Sequence, residues 1–259
     1  MGEQPAMQSA SNTASTLYQF SSPAPVDTIG EAVNLIRSAP LDSLKDASWL
    51  ENSLLLSLGL NNEYLHEFPN HLYPWCGHGV KSWQYPNQFS KYLTTLAERD
   101  IASYLEIGCR HGGTFIVTVE YLRRFGVLKR AVAIDIAPSE IALSYVNGAG
   151  ADICSYYIMS STSDEFRQDI AKQPHDLCLI DGDHSWPVCL QDFQAVKDNT
   201  RLIAMHDIVS SVCPGVCLTW QLVTSILPAS KTAAFIEQYE EVQKRTGNSY
   251  LGIGLADLR

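Results

Sequence analysis

The chain reads as a doubly wound α/β protein, with a mostly parallel sheet, helices on both faces and an N-terminal helical extension. Three observations predict this. From residue 103 onward short apolar runs alternate with amphipathic stretches, the order that builds a parallel sheet with covering helices. The 259 residues suffice for one such domain plus an extension. A balance of 46% hydrophobic and 18% charged residues is that of a globular chain with a buried core.

Residues 1–24 are rich in Ser, Ala, Gln and Pro, lack periodicity and are expected to form a disordered tail. Residues 25–99 make up the extension, a lid or an oligomerisation surface. Helices are expected at 29–38, where Ala32, Val33, Leu35 and Ile36 supply the apolar face, and at 47–58. The segment 61–85 mixes Tyr64, Phe68, Tyr73, Trp75, Trp83 and Tyr85 with His66, His71 and His78. A loop of that length is expected to bind something or to close over a site. A helix follows over 86–99, with Phe89, Leu93, Leu96 and Ala97 on one side. In residues 100–259, strands are expected near 103–107, 131–136, 153–158, 177–181 and 202–206. Helices are expected near 113–125, 139–147, 163–172, 187–198 and 216–226. The stretch 233–239 reads equally as strand or helix, and 249–258 as a closing antiparallel strand.

Charge and cysteine usage exclude several functions. With 28 acidic against 18 basic residues the net charge is -10, which argues against a nucleic-acid partner. The cluster Arg123, Arg124, Lys129 and Arg130 reads as a helix end. Seven scattered cysteines without a C-x-x-C pair argue against a disulfide framework and fit a reducing cytoplasm. The start of the chain lacks a secretory pattern, and the longest apolar run, Leu54 to Leu60, is too short to span a bilayer. A cytoplasmic protein with a small-molecule substrate and no membrane partner is expected, with homo-oligomerisation through the N-terminal helices.

In an open α/β sheet the ligand lies at the carboxyl ends of the strands, near the switch in strand order. The first strand ends in Glu106-Ile107-Gly108, and the next helix starts at Gly112-Gly113. A pyrophosphate cofactor wants G-x-G-x-x-G, but Arg110 stands where the middle glycine belongs. Glu106 would also repel a pyrophosphate and suit a cation, such as a sulfonium cofactor carrying an amino group. The second strand ends in Asp135, an acid placed for the two hydroxyls of a ribose. Strand-end aspartate also serves as a helix cap, but its place 29 positions after Glu106 makes the pair more telling. This order of acid, glycine loop, helix, strand and acid resembles motifs one and two of the class I S-adenosylmethionine-dependent methyltransferases, a Rossmann-like fold. The resemblance implies that Glu106, Gly108, Arg110, His111 and Gly112 lie around the methionine part. It also implies that Asp135 holds ribose and that Ser160 or Ser161 edges the adenine. A serine N-cap for the helix at 163 is the plainer reading of that loop.

The fourth strand runs into Asp181-Gly182-Asp183-His184-Ser185-Trp186 and the fifth into His206-Asp207-Ile208. Acids and imidazoles on adjacent strand ends make either a metal site or an acid/base site. With Gly215, Val216 and Trp220, and with Gln84-Tyr85-Pro86-Asn87-Gln88-Phe89 upstream, the pattern over 79–258 resembles one methyltransferase family in particular. That family contains the macrolide-sugar O-methyltransferases and the cephalosporin hydroxylase-like proteins. The resemblance implies a magnesium ion on Asp181 and Asp207, His184 as general base, and Gln84 and Tyr85 beside the cofactor. His206 departs from it by standing where a second acid is usual, so another divalent metal that accepts imidazole is an alternative. A metal-free enzyme using His184, whose unperturbed pKa is about 6.5, is a further one. Asp183 reads as a cap or an orienting group, and His66, His71 and His78 are too irregularly spaced for a metal. Most of the aromatics from Tyr64 to Tyr85 read as packing. The implied activity is O-methylation of a sugar or glycosylated small molecule. Phenolic O-methylation, a non-catalytic cofactor-binding partner and a dinucleotide-dependent oxidoreductase are the competing readings.

Overall fold

A computed structural model describes residues 23–259. The expected tail therefore lies outside the described residues, except Pro23 and Ala24. Pro23 is tied down, its carbonyl accepting a 2.6 Å hydrogen bond from the Trp75 indole.

Seven strands form one sheet: β1 (Ser103–Ile107), β2 (Arg130–Asp135), β3 (Cys154–Ile158), β4 (His175–Ile180), β5 (Thr200–His206), β6 (Thr232–Phe235) and β7 (Ile253–Asp257). Their order is β3-β2-β1-β4-β5-β7-β6, and the first five are parallel. This is the Rossmann-like doubly wound arrangement, closed by β7 lying antiparallel between β5 and β6. The chain winds outward from β1 to β3, then crosses to β4 on the other side. The switch point thus falls between the carboxyl ends of β1 and β4.

The larger helices are α1 (Ile29–Ser38), α2 (Pro86–Ala97), α3 (Gly113–Arg123), α4 (Glu140–Asn147), α5 (Trp186–Val196), α6 (Pro214–Ile226) and α7 (Glu240–Thr246). Local chemistry sets their starts. Thr28 and Glu31 close a capping box on α1, Ser139 caps α4, and prolines open α2 and α6. Two cores flank the sheet. One joins α1, α2 and α3 to Tyr104, Leu177 and Leu202. The other joins α5 and α6 to Leu105, Ile107, Cys178 and Ile203. The extension is therefore part of one sheet face. Arg37 of α1 reinforces this, donating bidentate hydrogen bonds of 2.7 and 2.8 Å to buried Glu120 of α3.

Three expectations change. The helix at 47–58 is not uniform: an α turn at Ala47–Trp49 passes into a π-wound stretch, Leu50–Leu54, and back to α over Leu55–Leu58. The widened turn lets Leu54, Leu55, Leu56 and Leu58 all be buried, which one 3.6-residue face would not. The helix near 163–172 is likewise short and π-wound over Phe166–Ile170. The ambiguous stretch resolves into β6, followed by α7. That helix carries Glu240 and Glu241 one turn before Lys244 and Arg245, with Gly247 at its end in the left-handed region.

Candidate active site

The loops after β1 and β4 meet at the switch point. A Cβ on Gly108 would lie 2.2 Å from the Asp181 carbonyl oxygen, and Gly108 has φ +79°. Only glycine allows that approach. The loop then turns through Arg110, at φ +49°, to Gly112, the left-handed N-cap of α3. The Asp135 carboxylate at the end of β2 pins this turn. Its Oδ2 accepts from the amides of Cys109 (2.9 Å) and Arg110 (2.8 Å), and its Oδ1 from Ala137 (3.0 Å).

A cavity of about 840 Å³ opens over these loops. At one end it meets Asp135 and Ser160–Thr162; at the other it meets Asp181, Asp183, His184, His206, Asp207 and Cys213. Gly108, Cys109, Arg110, His111 and Gly113 form the floor between.

The far end is a compact ionic cluster. His206 Nδ1 lies 3.0 Å from Asp181 Oδ1 and 3.5 Å from Asp207 Oδ2. His184 Nε2 lies 3.6 Å from Asp181 Oδ1 and 3.4 Å from Asp207 Oδ2. Cys213 Sγ approaches His184 Nδ1 at 3.2 Å and Asp207 Oδ2 at 3.5 Å. Asp207 itself sits at φ +59°, a conformation non-glycine residues hold only where the surroundings impose it. Hydrogen bonding to Asp181 and Cys213 and the charges of both aspartates push the His184 imidazole up to about 11. Burial pulls His206 down, yet the two carboxylates outweigh it and leave it at about 10. Burial raises Asp181, but both imidazoles more than offset this and hold it below its ordinary value. The surroundings of His184 thus favour its protonated form, in contrast to the unperturbed imidazole of the sequence reading.

The magnesium implied by the resemblance is tested by donor chemistry. The converging groups are two imidazoles, two carboxylates and a thiol. Magnesium wants oxygen ligands in near-octahedral array. Here an imidazole nitrogen occupies the place between the carboxylates of Asp181 and Asp207. The residues present do not fit magnesium.

The extension contributes the remaining wall. Tyr64 and Trp83 stack with ring centroids 5.3 Å apart, and both line the cavity with Glu67 and Lys81. The Trp83 indole donates to Glu67 Oε2 at 3.0 Å. Burial, partly countered by that bond, lifts the Glu67 carboxyl to about 7. Glu63 clasps the β1 loop, accepting from Arg110 at 2.6 Å and lying 2.9 Å from His111 Nε2.

Several residues stand elsewhere than expected. Glu106 is fully buried on the sheet face shared with Tyr104, because side chains two apart on a strand point the same way. The Tyr104 hydroxyl donates to its Oε2, its Oε1 has no partner among the described residues, and burial drives its pKa well up. Glu106 is therefore a core carboxyl whose charged form burial disfavours, and it stands outside the residues that line the cavity. Gln84 and Tyr85 are also buried away from the cavity lining, bonded to Thr114 and to the Glu67 carbonyl respectively. Ser163 caps the helical turn ahead of Phe166, whereas Ser160 and Ser161 line the cavity. Asp183 accepts from the Ser185 amide at 2.7 Å, at the start of α5. His78 pairs with Asp27, and neither it, His66 nor His71 joins a donor cluster among the described residues.

Glu63, Glu67 and Cys213 were missed from the sequence. The two glutamates sit in an aromatic segment without periodicity. Cys213 had a usable signal in Pro214-Gly215. A Cβ on Gly215 would lie 2.3 Å from the Trp186 amide nitrogen and 2.4 Å from the His184 carbonyl oxygen, so glycine lets α6 start against the His184 loop.

The model of a family described as a methyltransferase domain matches residues 105–208. No curated protein matches the chain. Among solved structures, cofactor-bound Rv0187 from MTB is 22% identical, with 66% of this chain and 80% of that one covered and a TM-score of 0.49. The O-methyltransferase TomG of Streptomyces achromogenes, involved in tomaymycin synthesis and solved with SAM, is 19% identical, covering 68% and 81% at a TM-score of 0.47. An O-methyltransferase from Bacillus cereus, solved with SAH, is 16% identical, covering 88% and 96% at 0.46. Likeness at this level says nothing of this chain's own ligands. The family match makes residues 105–208 a methyltransferase domain and the chain a methyltransferase enzyme.

Proposed function

We propose that this methyltransferase takes its methyl group from S-adenosylmethionine and passes it to a hydroxyl of a sugar or glycosylated small molecule, in natural-product or glycan biosynthesis. One observation carries the reading: the cavity runs unbroken from Asp135 to the His184–Asp207 cluster, with room for a nucleoside cofactor and an acceptor end to end. Asp135 Oδ1 accepts only from Ala137, so it keeps one lone pair free and takes a ribose hydroxyl there. Ser160 and Ser161 edge the adenine, and the turn at Gly108 lies under the methionine part. The missing middle glycine and the absence of a pyrophosphate cradle weigh against a dinucleotide.

Methyl transfer is an in-line displacement. The acceptor oxygen bonds to the methyl carbon as the carbon–sulfur bond breaks, and the hydroxyl proton passes to a protein group. The protein's task is to align the oxygen and receive that proton. His184, as an imidazolium, donates a hydrogen bond to the acceptor oxygen and orients it. Glu67 is the cavity carboxyl whose pKa of about 7 suits proton acceptance near neutrality. The Tyr64–Trp83 stack offers an aromatic face to a sugar ring, and the same face makes a phenolic acceptor the second reading. The lining role of Tyr64, Glu67, Lys81 and Trp83 favours the extension as a cavity wall over an oligomerisation surface. Among the described residues no helix is long and apolar enough to cross a membrane. All seven cysteines are free, and we read the compartment as the reducing cytoplasm.

Calorimetry with S-adenosylhomocysteine and a labelled-methyl assay over panels of glycosides and phenols test the proposal. Tight cofactor binding with transfer to glycosides is expected. Absent cofactor binding overturns the donor, and transfer to phenols alone overturns the sugar.

A further inference from the structure

We propose that His184, Asp207 and Cys213 form a binding site for a zinc-class divalent ion, with Cys213 as a thiolate ligand and a fourth position open to the cavity. One donor atom from each lies within 4.8 Å of the others. Cys213 Sγ is 3.5 Å from Asp207 Oδ2, and Asp207 Oδ2 is 3.4 Å from His184 Nε2. Ligands around a tetrahedral ion with bonds of about 2.0–2.3 Å are spaced about 3.3–3.7 Å apart, so the two separations that reach Asp207 Oδ2 match. Cys213 Sγ meets the His184 ring at Nδ1, 3.2 Å away, and closing the third separation takes only a small adjustment of the ring within the 4.8 Å cluster. Sulfur, nitrogen and oxygen donors with one open position make a set suited to zinc, cobalt or iron and unsuited to magnesium.

The three residues reach this point from separate elements, each held there at a cost. Asp207 keeps its left-handed backbone, fixed in part by the Ser210 amide, which donates to its carbonyl at 3.1 Å. Cys213 stands at the start of α6, which only Gly215 allows to lie against the His184 loop. All three line the cavity, so the open position faces the acceptor end. His206 and Asp181 stand beside the site as a 3.0 Å ion pair and are not required as ligands. Binding the ion displaces the His184 ring proton, so in the loaded protein the open metal position takes over the hold on the acceptor oxygen that the imidazolium N–H has in the metal-free protein. The ion is measured without cofactor or acceptor, so its test stands apart from that of the methyl-transfer reading.

The test is a titration of the purified full chain with cobalt(II), followed by absorption spectroscopy. About one equivalent is expected to bind, giving tetrahedral ligand-field bands and a thiolate-to-cobalt charge-transfer band. Cys213→Ser should abolish the charge-transfer band and weaken cobalt binding by about tenfold or more. Cys217→Ser, one turn along α6, should keep the band, and excess magnesium should not displace the cobalt. Cobalt bound without a charge-transfer band, or a band lost in Cys217→Ser and kept in Cys213→Ser, overturns the Cys213 ligand. No binding of cobalt or zinc by the unmodified chain overturns the site, even if S-adenosylhomocysteine still binds.

Discussion

Asp135 serves two structures at once, because its carboxylate holds the amides of Cys109 and Arg110 while facing the cavity. Asp135→Ala removes the pin on the loop and, with it, the ribose contact proposed above. Each charge-assisted hydrogen bond contributes about 1.5–3 kcal/mol, so S-adenosylhomocysteine affinity should fall by about 10- to 100-fold or more. Unchanged affinity by calorimetry would mean that the ribose lies elsewhere. Asp192 on α5 is a second residue-scale case. It is fully buried, neither oxygen has a hydrogen-bond partner among the described residues, and burial raises its carboxyl to about 6. Its folded pKa therefore exceeds the unfolded value of about 3.9. The native state holds a proton that the unfolded state has lost, so this residue's contribution is full below about pH 4 and disappears as pH rises through 6. Asp192→Asn should gain on the parent by about 2 kcal/mol between pH 4 and pH 8 in denaturant unfolding. A difference that stays constant with pH would sink this account.

At the scale of elements, glycines decide how closely loops and helices converge. Gly215→Ala sets a Cβ against the Trp186 amide and the His184 carbonyl, so the start of α6 must move away from the β4 loop. Overpacking of this kind costs about 1–3 kcal/mol. The melting temperature should drop, and Cys213 should lose its place beside His184. A normal melting temperature with an intact cobalt charge-transfer band would show that the contact yields freely. Gly108→Ala meets the Asp181 carbonyl and also demands a left-handed backbone. It should destabilise the protein by about 2 kcal/mol or more and abolish cofactor binding. A variant that melts and binds S-adenosylhomocysteine like the parent would remove the β1–β4 convergence as the reason for glycine here.

For the whole molecule, the consequence of a shared core is cooperativity. Val33 and Ile36 of α1 and Leu93 of α2 are buried in one cluster with Tyr104 and Leu177 of the sheet. Arg37 reaches across to Glu120, which is fully buried and also takes the Tyr145 hydroxyl at 2.6 Å. Removing Arg37 leaves buried Glu120 with only Arg123, 3.8 Å away, as counter-charge. A fully buried pair loses about 3–5 kcal/mol, and the loss is less here because Arg123 remains and Arg37 is part-exposed. Arg37→Ala should lower the unfolding midpoint through a single transition that takes the extension and sheet together. Two separate transitions by circular dichroism and tryptophan fluorescence would show that the extension folds on its own.

How much was legible in the sequence follows from the range of each interaction. The five parallel strands, the closing antiparallel strand and the acids ending β2, β4 and β5 were readable, because periodicity is local. The sequence by itself determined a doubly wound sheet with Asp135, Asp181, His184 and Asp207 at its carboxyl edge. Tertiary structure alone decided that Glu106 turns into the core, and that Gln84 and Tyr85 lie behind the cavity wall. It also brought Glu67, Trp83 and Cys213 to the site, and it set two carboxylates beside His184 that favour its protonated form. The physical reason is that a side chain's face, its loss of solvent and its charged neighbours are set by elements distant along the chain. Sequence spacing carries which residues end a strand, and packing alone carries what stands opposite them.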